Sequence, residues 1–161
     1  MGMVIGATSW WQANLVSTLP VGSALPDGSR ITCKAGGTAW IVAPSTTQVS
    51  SNWGNVTCCG CISNPGGILC SITTTNWVTL HNCLISRGFN PSDWFVPNLS
   101  QLQTAGYACR FFWDSVCCAI YWSSTEDTAT GGCTVLFGSG TTGTRNKANS
   151  YCVRAFRCVT Y

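Results

Sequence analysis

Apolar and polar side chains alternate on both sides of a glycine pair early in the chain. Alternation with a period of two is typical of half-buried strands, and adjacent glycines accept the positive φ angles of a hairpin turn. We therefore predict a strand over residues 29–34, a turn at residues 35–37 and a return strand over residues 38–43. Further strands are predicted over residues 119–123, 133–138 and 151–159.

Helical periodicity replaces this alternation over residues 73–87. Apolar positions recur there at i, i+3, i+4, i+7 and i+8, occupied by Trp77, Leu80, His81, Leu84 and Ile85. The spacing places them on one helical face, and Gly88 stands where a helix C-cap belongs. A shorter helix is predicted over residues 98–105, with Asn98 as its N-cap. Helices early and strands late, without strand–helix–strand alternation, predict an α+β fold.

Residues 1–19 are predicted to form an N-terminal arm in front of one domain that spans residues 20–161. The arm has no charged side chain, and its apolar residues include Ile5, Leu15 and the adjacent Trp10 and Trp11. Adjacent residues of a strand point to opposite faces, so a free arm would expose one of the two indoles. We expect these side chains to dock onto another subunit or particle protein, with packing on the parent domain as the alternative.

Charged residues make up only 8% of the chain, whereas 45% is hydrophobic. Ordinary soluble proteins carry about a quarter charged residues, so uncharged polar side chains or other subunits must cover this surface. The net charge of +3 comes from scattered basic residues, which argues against nucleic acid as a partner. No apolar run reaches the length of a membrane-spanning helix, and we expect no membrane insertion. The composition indicates a protein embedded in, or displayed on, a larger structure.

Twelve cysteines indicate an oxidising environment, because cytosolic proteins seldom carry so many unless they bind metal. The first residues lack the features of a secretory signal, so we expect a trimmed mature form or oxidation after release. We predict that most of the cysteines form disulfides, with Cys133–Cys152 or another late-strand pair among the bridges. Adjacent cysteines are expected to bridge to distant partners. Thiols that stay reduced and pack as small apolar groups are the alternative. The disulfide candidates are Cys33, Cys58, Cys59, Cys61, Cys70, Cys83, Cys109, Cys117, Cys118, Cys133, Cys152 and Cys158.

Metal binding and catalysis find little support in the residues. Cys58 and Cys61 have the C-x-x-C spacing of a zinc or redox pair, but no second such pair follows and His81 is the only histidine. On the apolar face of its helix, a packed His81 is favoured over a Cys–His dyad. The five acidic residues form no obvious pair for general acid–base catalysis, and no nucleotide-binding or nucleophile motif occurs. We predict no metal, no other cofactor and no catalytic residue.

Five short motifs occur in an order that resembles one known family. They cover Trp40–Pro44, Trp53–Gly54, Asp93–Pro97, Tyr121–Glu126 and Val153–Arg157. Over residues 20–161 the chain is similar to the Lcl C-terminal-domain family, also called the Fibrobacter paralogous-domain family. The resemblance implies a C-type-lectin-like fold, with paired terminal strands, two helices and a long-loop region that makes the binding surface. Members are surface adhesins, one of which binds sulfated glycans, and related folds serve phages as receptor-binding proteins.

The motif residues are interpreted as architecture, with a core motif of Trp40, Trp94, Pro97 and Trp122. An arginine on a half-buried strand needs a partner, so Glu126 is predicted to form an ion pair with Arg154 or Arg157. The chain departs from the family at Gln101, where glutamate is usual. It also has many more cysteines than the family needs, which indicates selection for stability.

Together these features predict a non-enzymatic structural or decoration protein of a phage virion, assembled with other copies of itself and with other particle or surface proteins. A glycan- or receptor-binding adhesin on a phage fibre or bacterial surface, with host glycan as a ligand, is the main alternative. A distant cousin fold, the formylglycine-generating enzyme, uses cysteines with copper, so a copper- or thiol-dependent oxidase is the remote alternative. The expected location is the virion, or else the extracellular space or bacterial cell surface.

Overall fold

The computed structural model describes residues 10–53 and 75–161, with side chains described for residues 13–53 and 78–161. The fold of these residues is mixed α+β and consists mostly of sheet, which confirms the predicted class. Its helices are α1 (Trp10–Thr18), α2 (Thr75–Ser86) and α3 (Leu99–Gln101). Its strands are β1 (Arg30–Ala35), β2 (Thr38–Val42), β3 (Val49–Asn52), β4 (Ile120–Glu126), β5 (Gly131–Leu136), β6 (Thr142–Asn146), β7 (Ser150–Val153) and β8 (Phe156–Thr160).

The strands form two sheets that are joined near the C-terminus. One sheet has the order β1-β2-β8 and the other the order β3-β7-β4-β5-β6, in which only β4 and β7 run parallel. The single strand predicted over residues 151–159 is wrong, because β7 pairs with β3 and β4 whereas β8 pairs with β2. Arg154 and Ala155 make the crossing, where the amide of Ala43 donates a hydrogen bond of 2.9 Å to the carbonyl of Ala155. These two residues connect the sheets.

The first hairpin forms where the sequence predicts it. Gly36 and Gly37 adopt positive φ angles of 56° and 76°, which side chains disfavour and glycine accepts. Ile31 on β1 and Ile41 on β2 lie opposite each other and are fully buried. Because β2 also pairs with β8, the N-terminal hairpin and the C-terminal strand belong to one sheet.

Both predicted helices are present, with local differences. Leu80 and Leu84 of α2 are buried, but Ile85 is 54% exposed, so the buried face is narrower than predicted. Gly88 follows α2 with a φ of 81°, as a C-cap requires. Asn98 and Gln101 form a reciprocal capping box at α3, with both hydrogen bonds at 2.9 Å. The chain then continues as a wider π-type turn over Leu102–Tyr107.

The second half of the predicted N-terminal arm belongs to the domain, which corrects that prediction. Val16 of α1 is only 1% exposed and lies in the main core, with Leu15 packed against it. The Lys34 ammonium donates a hydrogen bond of 2.6 Å to the carbonyl of Leu19, just beyond the helix. The helix thus packs Val16 and Leu15 onto the domain, and β8 is the strand that it contacts. Ile5 and the side chains of Trp10 and Trp11 lie outside what the structure describes.

The core divides into two clusters. The first contains Trp53, Trp94 and Trp122 with aliphatic side chains of α1, α2, β1 and β2. The second is built on aromatic rings, and its members are Val42, Leu102, Ala105, Trp113, Tyr121, Val135, Phe137, Cys152 and Phe156. Of the predicted core motif, Trp94, Pro97 and Trp122 are buried, as expected. Trp40 is half-buried and meets Phe95 edge-on at 6.1 Å between ring centroids.

Candidate interaction site

Residues 109–118 lie in the connection between the π-type turn and β4, and we name them the aromatic loop. It begins with a single turn of 3-10 helix at Arg110–Phe112 and carries three consecutive aromatic residues. The first two of these rings face solvent and the third enters the core. The loop therefore combines a buried anchor with an exposed surface.

Trp113 is the buried anchor. It is 7% exposed, and its ring lies 5.6 Å from Tyr121, 5.1 Å from Phe137 and 5.6 Å from Phe156. These edge-on and tilted arrangements are the favoured geometries of aromatic pairs. The guanidinium of Arg154 lies 5.1 Å from the same ring. The position of the loop is thus fixed by four neighbours from the body of the domain.

Asp114 adds a second attachment beside Trp113. Its carboxylate forms an ion pair with Arg154 and accepts a hydrogen bond of 2.7 Å from the amide of Ser45. Burial alone would raise the pKa of Asp114, but the hydrogen bonds from Ser45 and the charge of Arg154 hold that pKa below its ordinary value. Arg154 also donates hydrogen bonds of 2.8 Å to the carbonyls of Ala43 and Ser115. The buried guanidinium therefore connects the residue that follows β2, the aromatic loop and the crossing between the sheets.

A disulfide between Cys118 and Cys152 fastens the end of the aromatic loop to β7. The neighbouring Cys117 is an exposed free thiol, and its sulfur lies 2.8 Å from the side-chain nitrogen of Gln48. The Tyr121 hydroxyl donates a hydrogen bond of 2.8 Å to the side-chain oxygen of the same Gln48. Burial, and next the charge of a Cys117 thiolate, raise the pKa of Tyr121 to about 12. The tyrosine therefore acts as a neutral hydrogen-bond donor at ordinary pH.

Arg110, Phe111 and Phe112 form the exposed part of the loop, which we name the aromatic surface. Phe111 is 78% exposed and Phe112 is 43% exposed. The guanidinium of Arg110 stacks 3.9 Å from the ring of Tyr107 and 4.3 Å from the ring of Phe111. Phe112 lies against Gly22, where an added Cβ would stand 3.1 Å from the phenyl ring. Large exposed apolar rings beside an arginine have the composition of interface anchors.

The ion pairs predicted for Glu126 are wrong. Glu126 pairs with Lys147, Arg154 pairs with Asp114, and Arg157 pairs with Asp27 at 3.0 Å. Glu126 meets Lys147 because of the turn that follows β6. In this turn the backbone amide of Lys147 donates a hydrogen bond of 2.9 Å to the carbonyl of Thr130. This contact places the lysine beside the end of β4. Three of the five acidic residues are thus paired with a basic side chain.

The predicted disulfide between Cys133 and Cys152 is also wrong, since Cys152 bonds to Cys118. Cys118 bridges to a residue 34 positions away and not to its neighbour, as predicted for adjacent cysteines. The other cysteines of the described part are free thiols, so the expectation that most cysteines are bonded is wrong for this part of the chain. They are Cys33, Cys83, Cys109, Cys117, Cys133 and Cys158. The remaining candidates Cys58, Cys59, Cys61 and Cys70 lie outside the described residues.

A small cavity lies between α1 and the first sheet. Its volume is about 120 Å³, and its walls include Leu15, Leu25 and Val159, with Arg157 and Asp27 at one side. Small-molecule pockets occupy roughly 300–1,000 Å³. A lining of mostly apolar side chains around so small a volume suits no sugar ring. The cavity is therefore not a candidate glycan site.

Sequence reasoning did not single out the aromatic surface. The signal was present, because Phe111 and Phe112 are adjacent and follow an arginine. The argument applied to Trp10 and Trp11, that adjacent aromatic residues seldom both reach one core, applies equally to this pair.

No protein-family model and no curated protein matches the chain. The resemblance to the Lcl C-terminal-domain family therefore stays a prediction from motifs. Within the described residues, no group of three or more histidine, cysteine or acidic side chains is placed to hold a metal ion. No helix in that part of the chain is long and apolar enough to cross a membrane.

Proposed function

We propose that this chain is a non-enzymatic binding and assembly module that attaches to its partner through the aromatic surface. The observation that carries the proposal is the contrast within one loop. Trp113, Asp114 and Cys118 are fixed to the domain, whereas Phe111, two residues from Trp113, is 78% exposed. An exposed ring on an anchored backbone loses little conformational freedom when a partner covers it.

The setting we propose is a particle, with the chain as a structural or decoration protein of a phage virion. Support comes from the charged fraction of 8%, which suits a surface covered by neighbouring subunits. The acidic residues also favour architecture over chemistry, since Asp27, Asp114 and Glu126 are each paired with a basic side chain. The partners in this proposal are further copies of the chain and other particle proteins.

We propose a C-type-lectin-like arrangement as the finer description of the fold. It is supported by the first sheet, in which the C-terminal strand β8 pairs with β2 of the N-terminal hairpin. The helix α2 and the capped turn at α3 supply the two helices that such a fold requires.

The test replaces Phe111 and Phe112 by serine and measures assembly by sedimentation velocity and by occupancy on purified particles. The double variant should remain folded, because exposed substitutions usually change stability by less than about 0.5 kcal/mol. We expect it to lose at least tenfold in occupancy, as removal of interface anchors does. Ile85→Ser is the matched control, since Ile85 is also exposed and apolar but lies on α2. Wild-type occupancy of the double variant would refute the proposal.

A glycan- or receptor-binding adhesin is the second candidate, favoured by the same exposed rings, because the apolar faces of sugars stack on aromatic side chains. A glycan array separates the two functions. Binding that depends on Phe111, without recovery of the protein from particles, would support the adhesin.

A further inference from the structure

Two free thiols from distant parts of the chain meet at the start of the aromatic loop. Cys33 lies on β1 opposite Trp40, and Cys109 is the residue before the turn Arg110–Phe112. Strand β1 packs against this turn and against Leu102–Tyr107. Cys109 lies between the two segments that pack against β1, and both cysteines are half-buried. The thiol of Cys33 is near enough to contribute to the raised pKa of Cys109. The Cys109 sulfur also lies 3.5 Å from the carbonyl of Thr104.

We propose that Cys33 and Cys109 form a second disulfide when the protein meets a small-molecule disulfide oxidant such as oxidised glutathione. The bond would tie β1 to the first residue of the aromatic loop. Cys118, the last residue of that loop, is already bonded to Cys152. The two bridges would then hold the aromatic loop, which carries the aromatic surface, at both of its ends.

The strand order excludes the other nearby pairing. Cys158 on β8 also lies opposite Trp40, on the far side of β2 from Cys33. Two strand spacings separate Cys33 from Cys158, which is about 9–10 Å between Cα atoms. A disulfide requires Cα atoms within about 7 Å. Of these two described cysteines, Cys109 is the one placed to reach Cys33, because it lies between the segments that pack against β1, an edge strand of its sheet.

The reaction is two successive thiol–disulfide exchanges. One cysteine thiolate attacks a sulfur of oxidised glutathione, forms a mixed disulfide and releases one glutathione thiolate. The second cysteine thiolate then attacks the protein sulfur of the mixed disulfide and releases the other glutathione. Two protein thiols are oxidised, one glutathione disulfide is reduced to two thiols, and the protons of the cysteines pass to the glutathione.

Burial, followed by the hydrogen bond and charge of Cys33, raises the pKa of Cys109 to about 11. Because the thiolate is the attacking form, the thiol of Cys109 should react slowly at neutral pH. Formation of the bond should therefore accelerate as the pH rises toward 11.

A tryptic peptide map under non-reducing conditions tests the cross-link without any variant. The protein is incubated with oxidised glutathione, its remaining thiols are alkylated, and the digest is analysed by mass spectrometry. The expected product joins residues 31–34 to residues 88–110, each of which contains one cysteine. Residues 148–154 joined to residues 111–145 are the internal control, and fragmentation of that product assigns the bond of Cys152 to Cys118 among the three cysteines of the longer peptide. Alkylated Cys33 and Cys109, or either one bonded elsewhere, including to the cysteines of residues 58–70, would overturn the proposal.

Thermal unfolding supplies a second measurement. After oxidation, Cys33→Ser/Cys109→Ser should melt roughly 5–15 °C below wild type, and the difference should vanish in reductant. Cys83→Ser/Cys133→Ser is the control, and oxidation should leave it level with wild type. An oxidised Cys33→Ser/Cys109→Ser variant that melts with wild type would contradict the cross-link.

The role of the bridge in holding the aromatic surface rests on the proposed function, but the bridge itself does not. If the bridge forms and Phe111→Ser/Phe112→Ser still assembles normally, the proposed function fails alone. If that variant loses assembly and the peptide map finds free thiols, only the bridge fails.

Discussion

Replacement of Lys147 by methionine should be among the most damaging single changes in this chain. Lys147 is 0% exposed and forms an ion pair with Glu126. Its ammonium also donates a hydrogen bond of 2.9 Å to the carbonyl of Ala129 and lies 4.6 Å from the ring centroid of Trp53. Methionine fills a similar volume but supplies neither charge nor donor.

The expected loss follows from what remains behind. The Glu126 carboxylate is also buried, and in the described part of the chain its Oε2 atom has no hydrogen-bond partner. Without Lys147 the other oxygen loses its partner too. Removal of one member of a buried ion pair costs about 3–5 kcal/mol. At roughly 2–4 °C per kcal/mol for a chain of this size, the midpoint should fall by roughly 6–20 °C.

Urea unfolding and calorimetry of K147M, alongside two further variants, measure this loss. R145M is the matched control, since Arg145 is exposed and two residues away, and it should change the free energy of unfolding by less than about 0.5 kcal/mol. E126M/K147M removes both charges and should be less destabilised than K147M. A K147M protein within about 1 kcal/mol of wild type would refute the assignment of a buried pair.

Three shorter predictions concern the aromatic loop and its surroundings. Trp113→Ala should cost about 3–5 kcal/mol in denaturant unfolding, because the ring is buried among aromatic neighbours, and a loss below about 1 kcal/mol would contradict its role as anchor. The pKa of Asp114 is lower in the folded protein than its ordinary value of 3.8, so the ionised carboxylate stabilises the fold. This contribution to the free energy of unfolding is complete above pH 3.8 and is lost as the pH falls through the lowered pKa. Unfolding of D114N, measured against pH, should lack this loss in acid. A D114N profile identical to that of wild type would refute the pairing with Arg154. Gly140→Ala should cost at least about 1 kcal/mol, since Gly140 has a φ of 78° and a Cβ would overlap the Tyr107 ring. Gly138→Ala, with open space around it, should be tolerated, and equal stability of the two alanine variants would contradict the strain.

Much of the local structure follows directly from the sequence. The hairpin at Gly36 and Gly37, the end of α2 at Gly88 and the capping box of Asn98 and Gln101 all occur where the sequence predicts them. Each of these features forms between residues that lie within three or four positions of one another. All the interacting groups are therefore visible in a short stretch of sequence. The α+β class follows in the same way, from the order of the periodic segments.

Partners distant in sequence depend on the tertiary structure. Residues 151–159 alternate as one strand would, but the two halves find different sheets, and the choice depends on β2, β3 and β4. Glu126 meets Lys147 only because the turn after β6 lies beside the end of β4. Cys118 meets Cys152 because β4 and β7 run side by side, with Tyr121 opposite Cys152.

In the candidate site, too, some features are local and follow from the sequence, whereas others depend on the tertiary structure. The order of residues along the chain already shows that three aromatic residues follow Arg110 and that two cysteines lie a few positions beyond them. It did not determine that Trp113 is buried while Phe111 faces solvent, because exposure depends on which distant side chains cover each ring. Tyr121, Phe137 and Phe156 cover Trp113, and each comes from a different segment of the chain. Burial is a property of packed segments, and only the tertiary structure assigns it to a residue.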